Sequence, residues 1–82
     1  MKTNAITPLP PKEYADQLIA DRENLAWNFG HLSRQHIAYR DAGQADTAVA
    51  IYSRHAMRAI LQGDRGAYLA ALEEIIKICK GL

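Results

Sequence analysis

Apolar residues recur at helical spacing along most of the chain after residue 10. From Lys12 to Ala42 there is no proline and only one glycine, Gly30. Plotted at 100° per residue, the large side chains fall within about 40° of one line. The members of this stripe are Tyr14, Leu18, Leu25, Phe29, Leu32 and His36. The pattern predicts a long first helix that begins at Pro11 and is capped by Gly43.

Two shorter helices are predicted after Gly43. Asp46 is a candidate N-cap for the second helix, which ends at Gly63. Asp64 is a candidate N-cap for the third, from about Arg65 to Lys80. Their apolar stripes comprise Ala48, Val49, Tyr52, Ala56, Ala59 and Ile60, and then Tyr68, Leu69, Leu72, Ile75, Ile76 and Cys79. A link of one or two residues forces these helices into an antiparallel hairpin.

The sequence therefore predicts an all-α fold, a small three-helix bundle in which the first helix packs on this hairpin. About 30 residues of helix would be ~45 Å long, against ~25 Å for each of the others. The hairpin cannot cover a stripe of that length. Either the first helix breaks near Asn28–Gly30 to give four helices, or a second copy covers the excess. Both remain open, with a slight preference for the homodimer.

Residues 1–10 are predicted to form a flexible tail, and residues 11–82 a single helical domain. Pro8, Pro10 and Pro11 hold the tail in an extended conformation and exclude a helix there. Leu9, which lies between two of these prolines, is a candidate docking residue.

Composition places the chain among folded proteins of a reducing compartment. Apolar residues make up 49% of the chain and charged residues 23%, which excludes wholesale disorder. The net charge of +1 is lower than is usual for a nucleic-acid binder of this size. Cys79 is the only cysteine, and neither a signal peptide nor an apolar run long enough to cross a membrane is visible. We therefore expect a cytoplasmic protein that does not bind membranes.

Trp27 is the most informative candidate for function. It lies opposite the apolar stripe of the first helix, among Glu23, His31 and Arg34. Tryptophan and arginine are enriched at the energetic centres of protein interfaces. The alternative is that the first helix is buried on two sides, with Trp27 in the core or at a homodimer contact. The first hypothesis is a non-enzymatic interaction protein that regulates or inhibits a protein partner, as small accessory proteins of phages do.

A basic strip on the second predicted helix supports a different function. Arg54 and Arg58 lie one turn apart with His55 beside them, and such a pair can grip a phosphate or a carboxylate. The alternative hypothesis is thus a binder of nucleic acid or a nucleotide, although a solvated helix face is the simpler explanation of the strip. His36 and Arg40 fall within the arc expected to face the core. They either reach water past its end or line a polar pocket for a small anion.

Catalytic and metal-binding constellations are not visible. The chain has no Gly-x-Ser-x-Gly sequence, phosphate-binding loop or dinucleotide fingerprint. His31 and His36 are five residues apart and so lie on different helix faces, and no Cys-x-x-Cys or His-Glu-x-x-His occurs. We expect no enzymatic activity, catalytic residue, metal or cofactor.

Overall fold

Four α-helices and no strand make up residues 7–81, the part of the chain described by this computed structural model. They are α1 (Pro11–Ala20), α2 (Leu25–Asp41), α3 (Ala48–Gln62) and α4 (Arg65–Lys80). Each helix packs on two others, in a closed ring in which α1 contacts α2 and α4 and α3 contacts α2 and α4. The all-α prediction is confirmed, but the number of helices is four rather than three.

The predicted first helix is two helices, because the chain turns at residues 21–24. The Asn24 side chain caps α2 by accepting a hydrogen bond of 3.1 Å from the Trp27 backbone N–H. The break therefore lies before Asn28–Gly30, and Gly30 sits inside α2. Dividing the helix also divides its apolar stripe, so the length argument for a homodimer no longer applies.

Asn28 of α2 and Tyr68 of α4 form hydrogen bonds at the corner between α1 and α2. The Asn28 amide donates to the Leu18 carbonyl at 3.0 Å and to the Tyr68 hydroxyl at 2.9 Å. The Tyr68 hydroxyl in turn donates to the Arg22 carbonyl at 2.9 Å. Carbonyls at a helix C-terminus lack intrahelical partners, so these bonds stabilise the end of α1.

The hairpin of α3 and α4 forms where the sequence predicts it. Gly63 ends α3 with a φ of 70°, a left-handed conformation that favours glycine. The Asp64 side chain caps α4 by accepting from the Ala67 N–H at 3.0 Å. At the other end of α3 the cap is Thr47, which accepts from the Ala50 N–H at 3.3 Å, and not Asp46.

The core lies along the axis of the four helices. It contains Tyr14, Ala15, Leu18, Leu32, Val49, Ala56, Ala59, Tyr68, Ala71, Leu72, Ile75 and Cys79. The buried hydroxyl of Tyr14 is 2.6 Å from that of Ser53, which donates to the Val49 carbonyl. Leu25 departs from the predicted stripe and is 38% exposed, since α2 begins there in a new direction. Between residues 7 and 81 no helix has the length and apolar character needed to cross a bilayer.

Candidate functional site

Trp27 lies in the first turn of α2 with 64% of its surface exposed. The Asn24 cap fixes the start of the helix and so fixes the direction in which the indole projects. The core position that was one of the two sequence interpretations is therefore wrong for the single chain. A tryptophan exposed to this extent offers a large apolar surface, and tryptophan is enriched at the energetic centres of protein interfaces.

A groove of about 420 Å³ runs beside Trp27. Its lining combines one face of α2 with a residue of α1 and one from the segment before it: Leu9, Gln17, Ala26, Trp27, Gly30, His31 and Arg34. Gly30 forms part of its floor, and a Cβ added there would meet no atom within 4 Å. The absent side chain therefore leaves room for a group from outside the bundle.

The segment before α1 forms one wall of this groove and is held in place by Gln35. The Leu9 N–H donates to the Gln35 side-chain oxygen at 2.9 Å, and the Gln35 amide donates to the Leu9 carbonyl at 3.1 Å. The Gln35 side chain is buried. Leu9 packs against the core of its own chain, so this candidate docking residue is used internally. Residues 1–6 of the predicted tail lie outside the described residues.

His31 joins the corner between α1 and α2 to the groove. Its Nε2 lies 2.8 Å from a carboxylate oxygen of Asp21, and both side chains are partly buried. A carboxylate only accepts hydrogen bonds, so Nε2 must carry the proton in this contact. The pair holds the imidazole against the C-terminal end of α1, and His31 also lines the groove.

Arg34 lies two turns beyond Trp27 and also lines the groove. Its side chain is exposed, and no carboxylate among residues 7–81 pairs with it. A guanidinium that lines an apolar groove and has no carboxylate partner favours an acidic group on the molecule that binds there.

Glu23 is not part of this groove, although the sequence placed it beside Trp27. It precedes α2 and pairs with Arg65 of α4 at 2.7 Å. The hydrogen bond from Arg65 and its positive charge lower the pKa of the Glu23 carboxyl. The helical wheel that placed Glu23 beside Trp27 assumes one continuous helix. Because the chain turns at residues 21–24, that wheel does not give the position of Glu23 relative to Trp27.

The basic strip on α3 is divided between two surfaces. His55 and Arg58 open into a shallow groove between α3 and α4, whose other side carries Glu73 and Glu74. The Tyr52 ring meets the His55 ring edge-on, with centroids 5.7 Å apart. Arg54, one turn before Arg58, does not line this groove, and its charge acts on His36 of α2. Two of the three predicted residues therefore share one groove, and Arg54 lies outside it.

Sequence reasoning missed Gln17 and Gly30 as lining residues of the groove, and it named Leu9 as a docking residue without placing it beside Trp27. The sequence signal that could have placed Leu9 was Gln35. This polar residue lies close to the apolar stripe, and a buried side-chain amide needs a hydrogen-bond partner. Within the described part of the chain no group of three or more histidine, cysteine, aspartate or glutamate residues is arranged to hold a metal ion.

Comparison with known proteins gives no relative for this chain. No protein-family model matches it, and neither a curated protein nor a solved structure matches it significantly. Function is therefore inferred from the groove and its residues.

Proposed function

We propose that this protein is a non-enzymatic interaction protein that binds an acidic, amphipathic segment of another protein in the groove beside Trp27. The single observation that carries the proposal is the 64% exposure of Trp27 next to a groove floored by Gly30. An apolar side chain of the partner would lie over Gly30 between Trp27 and Leu9. Binding of this kind would regulate or inhibit the partner by covering the bound segment.

Trp27 supplies the main apolar contact in this proposal. If a tryptophan offers about 250 Å², covering the exposed part removes roughly 160 Å² from water, which is worth about 4 kcal/mol at 25 cal/mol per Å². Ordering of the partner offsets part of this gain. The remainder is still in the range of an interface hot spot, about 2 kcal/mol or more.

Arg34 sets the charge of the partner. The three cations of α4 are paired within the chain: Arg65 with Glu23, Lys77 with Glu74 and Lys80 with Asp16. Arg34 has no such pair among residues 7–81. A partner carboxylate about two helical turns from the apolar anchor would meet its guanidinium, because Trp27 and Arg34 are themselves two turns apart.

The test is a selection of peptides from a random display library on the wild-type protein, followed by binding of the selected peptides in solution. Trp27 is the only tryptophan, so its fluorescence reports directly on the groove. We expect enriched peptides to combine a large apolar residue with acidic residues and to shift the emission of Trp27 to the blue.

Three variants make the test specific. Trp27→Ala should weaken binding at least about 30-fold. Leu61→Ala removes a side chain that is 76% exposed on α3 and should leave binding unchanged. Gly30→Leu should fill the groove and block binding; a Cβ at this position has open space around it, and circular dichroism checks that the variant keeps its helices. Equal binding of the peptides to wild type, Trp27→Ala and Gly30→Leu would contradict the proposal.

A further inference from the structure

α3 carries positive charge and no carboxylate. Between Ala48 and Gln62 the charged residues are Arg54 and Arg58, with His55 between them. Neither arginine has a carboxylate partner among residues 7–81, whereas Arg22 and Arg65 both contact Glu23. The side of the bundle formed by α2 and α3 therefore holds guanidinium groups that no internal anion neutralises.

Arg54 does not stand alone on this side. α2 and α3 are joined by the loop of residues 42–47 and pack on each other. His36 lies five residues before the end of α2, and Arg54 lies six residues after the start of α3. Both are therefore at nearly the same height above the loop, about 8–9 Å at 1.5 Å per residue. Arg40 is one turn further along the same side of α2 as His36.

The electrostatics of His36 agree with this convergence. Burial lowers the pKa of its imidazole, and the positive charges of Arg54 and then Arg40 lower it further. The charges that act on His36 from its own helix and from α3 are thus both cationic. Among residues 7–81 the one carboxylate that contacts any of these three groups is that of Asp41, which lies 3.6 Å from Arg40.

We propose that His36, Arg40 and Arg54 form a binding site for a phosphate group on the α2–α3 side. Guanidinium groups match the geometry of phosphate oxygens, and a phosphate monoester carries about −1.5 to −2 charges near neutral pH. Such a dianion suits three converging donors better than a single carboxylate does. Arg40 is available for this role because its contact with Asp41, at 3.6 Å, is between two well-exposed side chains.

The site is separate from the Trp27 groove, and none of its three residues lines that groove. It also differs from the strip formed by Arg54, His55 and Arg58, since His55 and Arg58 open toward Glu73 and Glu74 of α4. The chain therefore offers an internal control: His55 and Arg58 are matched to His36 and Arg54 in residue type, but both line the groove between α3 and α4.

The experiment is a pH titration of the histidine ring signals by NMR, in inorganic phosphate and in chloride at equal ionic strength. We expect phosphate to raise the pKa of His36, because a bound dianion favours the imidazolium, and to leave that of His55 unchanged. Arg54→Gln should weaken phosphate binding about ten-fold or more, and Arg58→Gln less than about two-fold.

A nucleoside 5′-monophosphate and its nucleoside identify the source of the phosphate. Binding of the monophosphate but not the nucleoside would support recognition of the phosphate group itself. Equal responses of His36 and His55, equal effects of Arg54→Gln and Arg58→Gln, or no response of His36 to either phosphate compound would each overturn the proposal.

Discussion

The side chain of Gln35 satisfies both backbone hydrogen-bonding groups of Leu9, at 2.9 and 3.1 Å. The Gln35 amide thereby pairs with the backbone of Leu9 as a neighbouring strand would in a β-sheet. It fixes the position of a segment that cannot be helical because of its prolines. Leu9 is fixed as a wall of the Trp27 groove as a result. The shape of the groove depends on residues 26 positions apart in the chain.

Gln35→Met should release this segment. The substitution keeps the length of the side chain but removes both hydrogen bonds, which costs about 1–3 kcal/mol of unfolding free energy. Hydrogen exchange at the Leu9 amide should accelerate much more than exchange in the core of α3. Gln62→Met, at an exposed position on α3, is the matched control and should change neither quantity. Unchanged exchange at Leu9 in Gln35→Met would show that the segment is held by other contacts.

Tyr68→Phe should destabilise the fold, because it removes only the hydroxyl group and the two hydrogen bonds that this group makes. The hydroxyl accepts from Asn28 and donates to the Arg22 carbonyl, and its loss leaves both groups without that partner. Asn28 Oδ1 already has no hydrogen-bond partner, so the variant leaves a second polar group of this buried amide without one of its bonds. We expect a loss of about 1–3 kcal/mol in urea unfolding. Tyr52→Phe, in a partly buried tyrosine of α3, should cost less than about 0.5 kcal/mol.

Gly30→Ala should stabilise the protein. Gly30 is in the interior of α2, and an added Cβ contacts nothing within 4 Å, so only the helix propensity changes. The gain is about 1 kcal/mol, or a rise in Tm of about 4–8 °C for a domain of this size. Gly63→Ala should do the reverse, because the backbone there has a φ of 70°. A fall in the Tm of Gly30→Ala would mean that the position is already crowded in solution.

His36 should make the protein less stable as the pH falls. Its pKa is lowered in the folded state, so the unfolded chain binds the proton more readily. The contribution of His36 is complete above its ordinary pKa of 6.5 and is lost as the pH falls from there through the folded-state value. His36→Gln in chloride buffer should flatten the decline in unfolding free energy below pH 6.5 relative to wild type. An equal decline in wild type and in His36→Gln would contradict this prediction.

Much of the C-terminal half could be predicted because its signals are local. Gly63 and Asp64 are adjacent residues with opposite conformational preferences, and they end one helix and begin the next where the sequence predicts. Even here, two capping residues compete: Asp46 and Thr47 both suit an N-cap, and the structure uses Thr47. When two adjacent residues have similar preferences for the N-cap position, tertiary packing decides which of them caps the helix.

The N-terminal half could not be predicted in the same way, because the turn at residues 21–24 has no glycine or proline to mark it. Asn24 is a good capping residue, but it lies within an apolar stripe that continues in phase on both sides. The position of Trp27 on an outer face could be foreseen, since the wheel depends only on α2. The groove could not, because Leu9 and Gln17 reach it by tertiary contacts.

The bonds around Tyr68 also imply an order of folding. Its hydroxyl meets the Arg22 carbonyl across 46 positions of the chain, so the corner between α1 and α2 is completed only when α4 arrives. The α3–α4 hairpin, by contrast, closes through a two-residue link and has little loop entropy to overcome. Newly made chains that still lack α4 should therefore hold the bend between α1 and α2 less firmly, with only the Asn24 cap and the bond from Asn28 to the Leu18 carbonyl. The end of the chain thus completes a corner near its start.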